Sequence, residues 1–328
     1  MNSATSLSAP PHSRLEHLPI GLFAACMGLA GLALAWRRAA AFALVPPSGF
    51  WVPLALAMLV FAVLATALVL RWRHHPQALR ADWANPVKLS FFGAITISLI
   101  LFGTALAEVA PEVGFALWGL GAAGHLALTL TVMRRWILSP ELPVATLNPA
   151  WFIPVVGNIL VPLAGVEFGL NEISWFFFAV GIFFWPLLLA LVLHRVFFHA
   201  PLPPRLQPTF FILLAPPAVG FVAWMKLTGS FDSSARVLVY VAAFFLMLLA
   251  TKLPALLRLP FAPSWWAYSF PLAASTVDAF TYADALARPA WSVGLATVLL
   301  ATSTIVITAL CLATLREALS GALFAKEA

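Results

Sequence analysis

Charge is what this chain has least of. Only 9% of its 328 residues are Asp, Glu, Lys or Arg, against about 25% in a soluble domain. That scarcity excludes an ordinary water-soluble globule. With 62% hydrophobic residues and a mean hydropathy of +0.98, it marks a polytopic membrane protein. The net charge of +6 therefore gives no reason to expect nucleic acid, because basic loops are what membrane topology asks for. Cysteine is nearly absent: Cys26 and Cys311 both sit in apolar stretches, so no disulfide framework is implied. The catalytic and metal signatures HExxH, CxxC, the Walker loop and GxSxG are missing, and His74-His75 are adjacent rather than one turn apart. Without a polar cluster, intramembrane catalysis has no anchor. No cofactor or metal is expected.

Long apolar stretches are what the chain does have. Ten can be cut out, at about 18–36, 52–70, 87–107, 113–133, 149–166, 174–193, 207–225, 237–253, 264–283 and 290–315. Each approaches the ~20 residues that a spanning helix needs. The stretch 149–166 is the shortest and holds Pro154 and Pro162. Residues 1–17 and 316–328 read as brief tails around one membrane domain, 18–315. The first stretch is of full span length and ends at Arg37-Arg38, which argues against a cleaved signal peptide.

Proline divides the stretches into two kinds. Pro154, Pro162, Pro216, Pro217 and Pro271 lie well inside odd-numbered stretches, and only Pro186 is comparable in an even one. Odd stretches also open near a proline: Pro19, Pro86, Pro149, Pro208 and Pro263. Three of them carry prolines eight residues apart, Pro154/Pro162, Pro208/Pro216 and Pro263/Pro271. A recurrence near 60 residues is an internal repeat, here of one helical hairpin per unit. Hairpins return the chain to the same side, so the repeats are parallel and related by an axis along the membrane normal. The fold expected is all-α and integral to the membrane: ten transmembrane helices as five hairpins, quasi-fivefold about a central pore, with kinked odd helices inside.

The ninth stretch concentrates these features. Pro263 opens it, Phe270 directly precedes Pro271, and the residues that follow are small or hydroxylated. A ring among small neighbours projects into whatever space the bend opens, so Phe270 is the expected plug. Asp278, about 12 Å further along, is an outer-mouth candidate: a solvated carboxylate, or the titrating group of a coupled carrier. His125 stands alone in the fourth stretch and reads as a packing residue; Lys88 is placed to snorkel. Glu108, Glu112, Glu167 and Glu172 flank loops and are expected to face water. The odd stretches offer neutral polarity: Ser90, Thr96, Ser98, Thr104, Asn158, Thr209, Ser269, Ser275 and Thr276. These serve either helix–helix hydrogen bonds or an ion path. The residues alone leave the sign of a permeant ion open.

Four segments resemble one family. Trp265-Trp266-Ala267-Tyr268-Ser269-Phe270-Pro271 is similar to the ninth helix of the tellurite-resistance/dicarboxylate transporter family, which includes bacterial TehA, fungal malate and sulfite transporters and plant guard-cell slow anion channels. Asn85-Pro86-Val87-Lys88-Leu89-Ser90-Phe91 resembles the start of its third helix, Phe152-Ile153-Pro154-Val155-Val156-Gly157-Asn158 its fifth, and Leu214-Ala215-Pro216 its seventh. The resemblance implies a quasi-fivefold pore, often in a homotrimer, that conducts small inorganic or carboxylate anions across the lipid bilayer and is occluded by Phe270. It nominates Phe91, Asn158, Pro216, Ser269, Pro271 and Ala274 as lining residues. A passive channel for small monovalent anions leads. A proton-linked exporter of dicarboxylate, sulfite or tellurite-type oxyanions is the alternative, and a non-transporting membrane enzyme or assembly subunit is the outsider.

Orientation follows from Lys and Arg. Thirteen of the 18 fall on the side of the N-terminus and five on the other, although Arg37-Arg38 run against this locally. Positive-inside then puts both termini in the cytoplasm, of a bacterial inner membrane on the resemblance. A reporter active only in the cytoplasm, fused at Ala328, should give signal; signal solely from a periplasm-dependent reporter would overturn the topology.

Overall fold

The computed structural model describes residues 11–138 and 142–324. The first ten residues of the N-terminal tail, and Lys326 with its neighbours, lie outside them. Every regular element among the described residues is helical. The main ones are numbered here α1 Ile20–Ala40, α2 Pro47–His74, α3 Lys88–Leu106, α4 Pro111–Leu138, α5 Pro149–Gly165, α6 Asn171–Phe198, α7 Pro204–Thr228, α8 Ser233–Leu256, α9 Ser269–Ala285 and α10 Ala290–Ser320. All but α5 and α9 are long and apolar enough to cross a membrane, which makes eight.

Burial sorts these helices. In their most apolar windows α1, α3 and α7 are 72% buried, whereas α2, α4, α6, α8 and α10 are only 17–39% buried. The shorter α5 and the first half of α9 are almost wholly buried. Packing closes a cycle: α1 touches α3, α3 touches α5, α5 touches α7, α7 touches α9 and α9 returns to α1. Outside this cycle, each even helix packs on the odd helix before it.

The buried helices are also the interrupted ones. The segment 149–165 is cut into a 3-10 turn Pro149–Trp151, a helix Phe152–Val156, a second 3-10 turn Gly157–Leu160 and a last turn Pro162–Gly165. An eleven-residue 3-10 stretch, Pro204–Leu214, opens α7, and another, Pro263–Tyr268, leads into α9. Proline explains the junctions, since it lacks an N–H and crowds the preceding turn. Pro216, Pro217 and Pro271 fall in the first turn of the α-helix that follows, where N–H groups have no intrahelical acceptor anyway. By contrast, Pro186 in α6 and Pro254 in α8 are absorbed into continuous helices.

Polar side chains tie the layers together. Between α9 and α10, Thr276 and Ser303 hydroxyls lie 2.8 Å apart, and Trp266 Nε1 donates to Thr314 Oγ1 at 2.9 Å. His125 on α4 meets Thr96 on α3 through Nδ1 at 2.8 Å. Thr129, one turn on, donates to the Pro154 carbonyl of α5 at 2.7 Å and accepts from Asn158 Nδ2 at 2.9 Å. His125 thus knits α3 and α4 as a packing residue. At one end of the bundle Arg71 and Lys88 both clamp Asp82, at 2.8 and 2.9 Å, while Arg71 also donates to the Leu18 carbonyl. That latch joins the end of α2 to the starts of α1 and α3.

Candidate functional site

Three cavities stack along the inside of the inner helices. The largest, about 550 Å³, is a vestibule whose walls include Leu34, Arg37, Thr104, Leu163, Val222 and Val277. Below it lies an apolar chamber of about 30 Å³, which shares Leu34, Leu163, Val222 and Val277 with the vestibule. A third chamber, of about 50 Å³, shares Leu160, Val219 and Phe270 with the second. Side chains from α1, α3, α5, α7 and α9 contribute to each of the three.

Phe270 therefore stands between the two smaller chambers and borders both. It occupies the second position of α9, just after the 3-10 turn. Its seat is made by α1. A Cβ on Gly31 would lie 3.2 Å from the Phe270 ring and 3.1 Å from the Ala273 methyl. Three residues earlier, a Cβ on Gly28 would overlap Ser269 Oγ at 2.1 Å. The close approach of α1 to α9 leaves no room for a Cβ at Gly28, and at Gly31 the ring and the methyl would have to give by a few tenths of an ångström.

The expected lining residues separate into two groups. Ala274 borders the second chamber and Pro216 the third. Ser269, Pro271, Asn158 and Phe91 border none of the three. Ser269 Oγ donates to the Trp266 carbonyl at 2.6 Å, and the Pro271 carbonyl accepts from Ser275 Oγ at 2.8 Å. Asn158 is fully buried, with Nδ2 on Thr129 and the Val155 carbonyl and its Oδ1 unpartnered. Phe91 is half-buried near Gly21. Asp278, expected beside water, is only 7% exposed, and its Oδ1 has no partner. The carboxylate that α9 offers to the vestibule is Asp284.

The hydroxyls of the inner helices are mostly spent locally. Ser98, Thr104, Ser275 and Thr276 donate to carbonyls one turn back, on Ala94, Ile100, Pro271 and Leu272. Sequence reasoning missed Gly31, the apolar collar Leu34, Leu163, Val222 and Val277, and the charged rim. On α9 a signal for them existed: Phe270, Ala274, Val277, Thr281 and Asp284 follow one another at helical spacing on one face.

A helical bundle with an apolar axial lumen beneath a charged vestibule defines a multi-pass membrane protein of the transport class. Residues 17–315 match the SLAC1 family, described as voltage-dependent anion channel, and the chain belongs to that family. It is a family of anion channels and transporters, not of enzymes. The chain is 29% identical over 314 residues to the S-type anion channel SLAH3 of Arabidopsis thaliana, covering 93% of this chain and 49% of that protein. It thus spans about half the length of the plant relatives it matches first. It is 31% identical over 241 residues to the uncharacterized transporter MJ0576 of Methanocaldococcus jannaschii, 66% of this chain and 70% of that one. Against the tellurite resistance protein TehA homolog of Haemophilus influenzae, identity is 26% over 284 residues, 82% of this chain and 83% of the relative.

The seat of Phe270 can be probed by overpacking. Gly31→Ala should lower stability by about 1–3 kcal/mol, because the added methyl must push aside the Phe270 ring and the Ala273 methyl. Much of that loss should vanish in a Phe270→Ala background, a coupling that thermal unfolding of the four proteins in detergent would measure. Equal losses in both backgrounds would mean that the ring does not rest on Gly31.

Proposed function

We propose that this protein is a passive channel for small monovalent anions, with the five inner helices lining its pore and Phe270 occluding it. The reading extends to the assembly: ten transmembrane helices as five quasi-fivefold hairpins, residues 18–315 as the channel domain, a homotrimer in a bacterial inner membrane, and both termini cytoplasmic. The observation that carries it is that the Phe270 ring borders both of the smaller apolar chambers. The cyclic packing of the odd helices, their interruption at prolines and the membership of an anion-channel family support it.

The physics of occlusion is dehydration. An ion entering an apolar neck must shed water and finds no polar group there in exchange. The smaller chambers carry no ionisable side chain, so an ion that does enter is bound weakly and leaves readily. Removing the ring widens the neck enough to keep part of the hydration shell. Phe270→Ala should raise anion flux into liposomes at least about tenfold, the change that 1.4 kcal/mol off a barrier produces. If the ring were packing alone, the truncation would forfeit roughly 3–5 kcal/mol of stability and add no flux. A well-folded Phe270→Ala protein that passes no more anion than the parent would refute the occlusion.

One observation favours a second reading, the proton-linked exporter of dicarboxylate, sulfite or tellurite-type oxyanions. Asp278 is a buried carboxyl with an unpartnered oxygen, the kind of group that titrates in coupled carriers. For a channel, Asp278→Asn should leave the pH dependence of flux unchanged, because the residue borders none of the cavities. Loss of uphill accumulation driven by an imposed proton gradient would decide for the exporter.

A further inference from the structure

The charges around the vestibule form a rim. Residues at the ends of the inner helices or just beyond them supply it: Arg37 and Arg38 on α1, Glu108 after α3, Glu167 after α5, Lys226 on α7 and Asp284 on α9. Arg288 joins them by pairing with Asp284 and donating to the Ala41 carbonyl, so four cations face three carboxylates and the formal sum is +1. Lys226 pairs with Glu167 and Arg38 with Asp284, which Arg288 also holds. Both pairs bridge neighbouring helices of the cycle.

Arg37 and Glu108 remain. Arg37 is held by the carbonyls of Thr104 and Ala105 at the end of α3, with its guanidinium 4.5 Å from the centre of the Phe50 ring. Those contacts anchor its position without neutralising its charge. Glu108 is exposed, and among the described residues it makes no hydrogen bond or ion pair. The balance of the rim therefore turns on one carboxylate that nothing structural requires.

We propose that Glu108 sets the ion preference of the vestibule, tempering a rim that is net positive and would be more so without it. This rests on the channel reading only in that the vestibule leads to the conduit. A single charge in a wet cup of this size changes the local concentration of a monovalent ion about two-fold at low salt, and less as the screening length falls to about 3 Å at 1 M. Glu108→Gln should strengthen the vestibule's attraction for anions, Lys226→Gln should weaken it, and the double variant should return to the parental balance.

The rim can be read without any current. Ala41 borders the vestibule and is exposed. A cysteine there, in a Cys311→Ala background with Cys26 left buried, reports local potential through its reaction with a sulfonate-bearing and a trimethylammonium-bearing methanethiosulfonate. In 10 mM salt, Glu108→Gln should raise the anionic-to-cationic rate ratio about four-fold, two-fold from each reagent. Lys226→Gln should lower it, Glu108→Asp should leave it unchanged, and 1 M salt should abolish the differences. A ratio indifferent to Glu108→Gln, or a double variant that fails to cancel, overturns the proposal. So does an unchanged chloride-to-potassium permeability ratio on adding Glu108→Gln to a conducting Phe270→Ala channel. A silent Phe270→Ala protein condemns the occlusion instead, while the labelling ratios still decide the role of Glu108.

Discussion

A bilayer core supplies no water to a loose N–H or carbonyl, and the rest of this architecture follows from that constraint. Unbroken helices satisfy their own backbone and can face lipid. Helices broken at prolines cannot, and must be wrapped. The chain obeys by alternation: α4, α6, α8 and α10 are continuous, α2 is so after a short 3-10 entry, and all five are mostly exposed, while the long 3-10 stretches in α5, in α7 and before α9 lie inside. Proline is suited to the inner positions because it brings no N–H to be left unpaired. The same breaks place bulky side chains at helix junctions, and Phe270 sits at one of them.

Much of this was legible in the residues. Hydrophobic length marked the helices, and the period of the prolines separated inner from outer, because both signals arise from the chain itself. Less legible was how the ends of α5 and α9 would fold. Pro154 and Pro162 shorten one, and the 3-10 turn Pro263–Tyr268 shortens the other, so neither reads as a full-length span. Whether a proline kinks a helix, as in α7, or is absorbed, as Pro186 is in α6, depends on neighbours that the sequence does not reveal.

At the site the division is similar. Phe270 was visible because its oddity is local: a large ring before a proline among small residues. The lining was not, because it depends on which side of each helix turns inward. Asn158 looked like a pore residue by type, yet it is committed to Thr129 and the Val155 carbonyl. Gly31 looked like any membrane glycine, yet it is the surface against which the Phe270 ring rests. Asp278 and Asp284 are six residues apart on α9; the first is buried in the helix packing and the second reaches the vestibule. The two inner chambers of the stack are apolar, and its ionisable side chains are confined to the vestibule.

The central claim is that the volume of one side chain closes a path that the five inner helices leave open. Single-channel conductance across Phe, Leu, Val, Ala and Gly at position 270 measures it most directly, at matched protein folding and chloride concentration. Conductance should climb as the side chain shrinks, because each step restores more of the ion's water. A flat series, with stability falling while conductance does not move, would show that Phe270 packs the bundle and that the path is closed elsewhere.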